Sequence, residues 1–166
     1  MRQKKKKNEN RIFISYIQEY RRTLETDLTQ SCQKMINIID SLLVKKAENN
    51  EAKIFYKKLK GDLNRYIAEY AKDELRERVM KDGLIAYQEA KNLSKDIPIM
   101  NEILLGLALN MPLFYYEVIN ERKNAIKIVE ECIRKVNKEL PGFDEDNEKN
   151  KTILALISLI KENLEN

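Results

Sequence analysis

Histidine is absent from the 166 residues, and with it go the imidazole relays of Ser/His/Asp and Cys/His nucleophiles, His-ligated zinc and any His-based pH switch. Glycine (4) and proline (3) are scarce, which excludes collagen-like folds and argues against a turn-rich all-β one. The two cysteines, Cys32 and Cys132, lie far apart without CxxC spacing, the pattern of buried thiols in a reducing compartment rather than of a disulfide framework. No secretory apolar core follows the start MRQKKKKNEN, and the most apolar stretches, ILLGLAL and ILALISLI, are too short to span a bilayer. The expectation is a soluble cytoplasmic protein, with the nucleus open to it, and no membrane span.

What is present is charge and helical periodicity. Apolar residues make up 43% and charged residues 35%, enough for one sizeable core wrapped in exposed helices. The net charge is +4, from 31 Lys and Arg against 27 Asp and Glu. Arg2 and Lys4 to Lys7 supply five of those positives; without them 26 stand against 27, a balance of −1. The basic excess therefore belongs to an N-terminal run over 1–11, read as a flexible segment, ahead of a single helical domain over 12–166. No general nucleic-acid-binding face is implied, and no specific nucleic acid is expected. The run itself is open to another reading, attraction to anionic lipid or nucleic acid.

Apolar positions Ile17, Tyr20, Leu24, Leu28, Cys32, Met35, Ile39 and Leu42 recur at steps of three and four, the stripe of one long helix from about Asn10 to Lys46. After AENNEA, the residues Phe55, Leu59, Leu63, Tyr66 and Tyr70 mark a second helix. Leu75, Val79, Tyr87, Ala90 and Leu93 mark a third over 73–93, weakened in its middle by Gly83. Pro98 follows its end. A fourth covers 102–119. A fifth carries Ala125, Val129, Cys132, Val136 and Leu140 and stops at Pro141–Gly142. A sixth runs from near Asn147 on Ile153, Ile157, Ile160 and Leu164. Short connections predict an antiparallel all-α array of about six helices.

Three of these helices carry a face that a core does not need. On the second, Lys58, Asp62, Arg65 and Glu69 form one polar stripe with Tyr66 alongside. Such a stripe is either a solvated salt-bridge face or a phosphate site, since a guanidinium fork, an ammonium and a phenol suit phosphate oxygens. On the fourth, Gly106, Asn110, Leu113 and Glu117 share a line; an Asn that both donates and accepts can hold an extended peptide backbone. On the sixth, Leu156, Leu159 and Asn163 form a second line beside the core stripe. Together they outline an amphipathic groove, basic on one wall and apolar on the other. No set of acid, base and nucleophile converges, so an enzyme is not expected; nor is a cofactor or metal.

At these residues the chain resembles the 14-3-3 family of phosphoserine and phosphothreonine adaptors. The segments KIFYKKLKGDLNRYIAEYA, AYQEA, GLALNMPLFYYEVIN and KENLEN carry the likeness, and EYRRTLETDL adds a weaker upstream match. The resemblance implies an all-helical fold, here lacking the family's first three helices and matching its last six. It implies that Arg65, Tyr66 and Lys58 bind phosphate, and that Asn110 and Asn163 hydrogen-bond the ligand backbone. Glu117 would orient the polar side, and Leu109, Leu113, Leu156 and Leu159 would make the apolar wall. The implied partners are proteins phosphorylated on Ser or Thr. The family dimerises through its N-terminal helices, so self-association is expected here through the first helix, whose extra apolar residues include Ile12, Ile14, Ile36, Ile38 and Leu43. Pro112 departs from the family's small residue and is expected to bend the wall beside Asn110. A helical scaffold that keeps the core and binds no phosphopeptide is the alternative.

Overall fold

The computed structural model describes residues 2–144 and 147–165, with side chains described for 11–144, 147, 148 and 150–163. Six helices follow one another: α1 (Arg2–Ile38), α2 (Asn50–Ala68), α3 (Asp73–Leu93), α4 (Glu102–Leu113), α5 (Arg122–Glu139) and α6 (Lys151–Glu165). Two of them are prolonged by wide π turns, α1 through Ile39–Leu43 and a last α turn Val44–Lys46, and α4 through Phe114–Ile119. No strand occurs among the described residues, and the all-α expectation holds. The α1 backbone is helical from Arg2 rather than from Asn10, and α6 starts at Lys151 after a 3₁₀ turn, Glu148–Asn150. The side chains of Lys4 to Lys7 and of Leu164 lie outside the described residues.

Local chemistry sets several boundaries. The Asn49 and Asn101 side chains accept the first free amides of α2 and α4, from Ala52 at 2.8 Å and from Ile103 at 2.9 Å. Asn120, at φ 62°, ends the π turn after α4 in the left-handed conformation an Asn tolerates. Helix α4 does not break at Pro112: it continues into the π turn, where the wider winding takes up the disturbance made by the missing amide.

Two apolar clusters share α4. Leu104, Leu107, Met111, Phe114 and Val118 face α1, α2 and α3, meeting Ile39, Ile54, Ile67, Val79 and Tyr87. Leu105 and Ala108 face α5 and α6, meeting Val129, Cys132, Val136, Ile153, Ile157 and Ile160. A helix packed on opposite sides must be apolar nearly all round. That is why Glu102–Ile119, with the π turn, forms one 18-residue stretch long and apolar enough to cross a membrane by length and composition. The apolar run is thus longer than ILLGLAL suggests, and 44% of it is buried inside the fold.

The stripe expected on α1 is corrected. Only Cys32, Ile36 and Ile39 are buried, whereas Ile17, Tyr20, Leu24, Leu28, Met35 and Leu42 are between 43% and 67% exposed. The cause is length: α1 has 37 residues and α2 has 19, so at about 1.5 Å per residue the neighbour covers half of it. The outermost tie is Thr29 Oγ1 to Tyr70 Oη at 3.0 Å, just past the end of α2. On α2 the buried face is Ile54, Leu63 and Ile67, while Phe55 and Tyr66 are exposed.

Gly83 does more than weaken the middle of α3. A Cβ there would come within 2.9 Å of the Phe114 ring, and one at Gly61 within 2.7 Å of the Tyr87 ring. The two rings pack on each other at 5.2 Å, so both glycines exist to let helices close on aromatic faces.

Candidate functional site

The polar stripe of α2 runs from inside the fold to its surface. Asp62 is 4% exposed, and its carboxylate gathers three donors: Lys58 Nζ at 2.7 Å, Tyr87 Oη at 2.6 Å and Asn110 Nδ2 at 2.9 Å. A buried carboxylate is tolerable only when paired and hydrogen-bonded, and here three helices satisfy it. One turn on, the Arg65 side chain is 13% exposed, and its Nη1 reaches Glu69 at 3.1 Å and Glu117 at 3.4 Å. The Arg65 guanidinium also lies over the Tyr66 ring, 4.8 Å from the centroid. The solvated-face reading therefore fails for Asp62, Lys58 and Arg65 and holds for Glu69.

Arg76 of α3 positions this corner. Its Nη1 donates to the Ala68 carbonyl at the end of α2, and its Nη2 to the Val118 carbonyl at 3.4 Å in the π turn. That single fork fixes the end of the helix carrying Arg65 against the turn carrying Glu117. Burial works against the Arg65 charge, but Tyr87, Glu117, Tyr66 and Glu69 act the other way, and its pKa ends above the ordinary value. Burial, then the charge of Asp62 and its hydrogen bond, push the Tyr87 phenol upward, so it stays a donor.

Arg65 Nε is buried without a hydrogen-bond partner, the one such side-chain atom found among the described residues. Such orphans concentrate where a ligand or strain is accommodated. With Nδ2 of Asn110 given to Asp62, its Oδ1 keeps the capacity to accept a hydrogen bond. The apolar residues stand on the neighbouring helices: Leu109 and Leu156 are half-buried against the second cluster, Leu113 is half-buried, and Leu159 is 46% exposed. Asn163 is exposed and shares a pocket with Leu113. The fold thus gathers Lys58 and Asn110 on the buried Asp62, sets Arg65 with Tyr66 and Glu117 one turn on, and places Leu113 with Asn163 in a pocket of their own.

Sequence reasoning missed the centre of this network. Asp62 reads as one charge of a stripe and Tyr87 as a core aromatic. The available signal was the placement of Asp62 between Gly61 and Leu63, on the edge of the face that packs against α3.

A profile described as 14-3-3 protein matches residues 1–166. The chain belongs to the 14-3-3 family. It is 34% identical over 163 residues to 14-3-3-like protein A of Hordeum vulgare, covering 98% of this chain and 62% of that one. The identity is also 34% to 14-3-3-like protein B of Glycine max, over 98% of this chain and 65% of the relative. With 14-3-3 protein 2 of Entamoeba histolytica it is 34% over 164 residues, 99% of this chain and 68% of the relative. The chain therefore spans slightly under two thirds of the two plant proteins. Both the expected family and the expected fold class stand.

Proposed function

We propose that this 14-3-3 chain binds extended peptides phosphorylated on serine or threonine and acts as an adaptor. The observation that carries the reading is Arg65: a largely buried guanidinium held at one nitrogen by Glu69 and Glu117, with its Nε unpartnered. A phosphate of about −1.5 to −2 charge meets that fork at its Nη side and outcompetes the long Glu117 contact. The Tyr66 hydroxyl adds a donor, and Lys58, two turns back along α2, adds positive charge while Asp62 fixes its place. Asn110 and Asn163 grip the ligand backbone, and Leu109, Leu113, Leu156 and Leu159 face its apolar side chains. The site holds its ligand and transforms nothing.

Fluorescence anisotropy tests this with a phosphoserine peptide and its unmodified twin. The phosphorylated peptide binds more tightly, and Arg65→Ala removes the difference. Two charge-assisted hydrogen bonds at about 1.5–3 kcal/mol each set the scale, a loss of roughly a hundredfold or more. Arg65→Lys recovers little of it, because a point charge lacks the fork. Equal affinities for the two peptides would reduce the chain to a helical scaffold.

The second part of the proposal is self-association through α1. Phe13, Tyr16, Ile17 and Tyr20 are all more than half exposed on one helix, and wet apolar area is unfavourable by about 25 cal/mol per Å². Sedimentation over a wide concentration range shows association that Phe13→Glu with Tyr20→Glu abolishes; a monomer throughout excludes it.

A further inference from the structure

A cavity of about 280 Å³ opens where α4, α5 and α6 meet, lined chiefly by Leu113, Tyr116, Ile126, Val129, Arg122 and Asn163. Two of its residues, Leu113 and Asn163, belong to the peptide site proposed above. The other four lie outside the polar stripes and are not among the residues that suggested a ligand contact. Its floor is dry, with Val129 4% exposed, while Tyr116 and Ile126 stand open to solvent as its walls. Tyr116 is placed there by the π turn: it directly precedes Glu117, which holds Arg65. The phosphate corner and the cavity therefore flank one short stretch of backbone.

Arg122 gives the rim its chemistry. Its guanidinium lies 6.0 Å from the centre of the Tyr116 ring and makes no ion pair among the described residues. The carboxylate next to it in sequence, Glu121, is turned to the Asn124 amide. An arginine parked on an aromatic face is fixed in place while its hydrogen-bonding edge stays free. A cavity of this size stands at the bottom of the usual range of about 300–1,000 Å³ for small-molecule sites and has room for one large side chain.

We infer that this cavity is a specificity pocket of the peptide groove: it takes a large apolar side chain of the bound phosphopeptide, and Arg122 takes an acidic side chain within two positions of it. The inference rests on the phosphopeptide reading and names the ligand class more narrowly. Asn163, at the mouth, holds the backbone of the same extended segment, in which successive side chains advance about 3.3 Å and alternate in direction. An aromatic or leucine side chain entering between Tyr116 and Ile126 leaves water completely. The acidic side chain one or two positions away then meets the Arg122 guanidinium at the rim.

The test uses anisotropy on phosphoserine peptides in which Leu, with Glu one or two positions to either side, is walked along both flanks, each compared with Ala–Ala and Leu–Lys at the same positions. One register binds about tenfold to a hundredfold more tightly than its Ala–Ala control. There Arg122→Glu reverses the preference for Glu over Lys, and Ile126→Lys removes the advantage of Leu. Both positions are exposed, so the fold survives, and both variants keep the preference for phosphorylated over unmodified peptide. If no register stands out, or the Glu preference ignores Arg122→Glu, the pocket inference is wrong while the phosphate reading stands. A Leu–Glu preference equal in unmodified peptides keeps the pocket and removes the phosphate reading. No preference of either kind removes both.

Discussion

Helices α1 and α5 show the same signal in sequence, apolar residues every three or four positions, and end in opposite circumstances. On α5 the stripe Ala125, Val129, Cys132 and Val136 is buried throughout, against α4 and α6. On α1 the stripe from Ile17 to Leu28 lies open, and burial begins only at Cys32. Periodicity reports that a face is built to pack. It does not say what packs there, because the partner's length and position come from elsewhere in the chain. The contrast gives α1 two energetic regimes, an anchored inner end and an outer part free to meet something else.

The sharpest way to break this contrast is to shorten one side chain in each region. Ile157→Ala on α6 deletes a side chain inside the second cluster and costs about 2–5 kcal/mol in chemical denaturation. Ile17→Ala on α1 changes stability by about 0.5 kcal/mol or less at low protein concentration. Equal costs would mean that the outer part of α1 is packed in solution. A smaller effect belongs to the helix contacts around the aromatic pair. Gly83→Ala pushes a methyl into the Phe114 ring and costs about 1–3 kcal/mol, though the same exchange in an open helix would stabilise it by roughly 1 kcal/mol. Thermal melts of the variant decide the sign: a gain would return Gly83 to the role of a mere weak point in α3.

Much of the architecture was legible. Six helices, the stops at Pro98 and at Pro141–Gly142, and the stripes of α5 and α6 follow from spacing and breakers, because each helix there meets neighbours on the expected side. The α1 stripe misled because spacing carries no information on how far α2 reaches. The polar corner around Arg65 was half legible. Arg65, Tyr66 and Lys58 stand out by residue type, and Asn110 by its place on an apolar helix. Asp62 did not stand out, since a carboxylate between two basic residues looks alike whether it faces water or a buried tyrosine. The pocket at Tyr116 was not legible at all: its walls come from three helices, and the π turn that aims Tyr116 shifts the register an ordinary helix would assign.

The two cysteines sharpen the comparison most finely, one at the inner end of α1 and one in the second cluster. Both are buried and free. Burial raises the Cys32 thiol, and burial raises Cys132 to about 11. The thiolate is the reactive form, so at pH 8 the ionised fraction of Cys132 is lower than that of an unfolded cysteine of pKa about 8.5 by a factor on the order of a hundred. Its alkylation by iodoacetamide is slow at pH 8 and climbs steadily toward pH 11. The linkage has one sign: a thiol whose folded pKa is raised stabilises the fold fully below about pH 9, and that contribution is lost as pH rises through about 11. Cys32 sits where anchored and open helix meet, so partial opening of α1 exposes it without disturbing Cys132. Mass spectrometry of timed alkylation at pH 8 therefore finds Cys32 modified first, and finds its rate falling as protein concentration rises and α1 is covered. Equal rates for the two thiols, independent of concentration, would show that the inner end of α1 opens only with the whole fold.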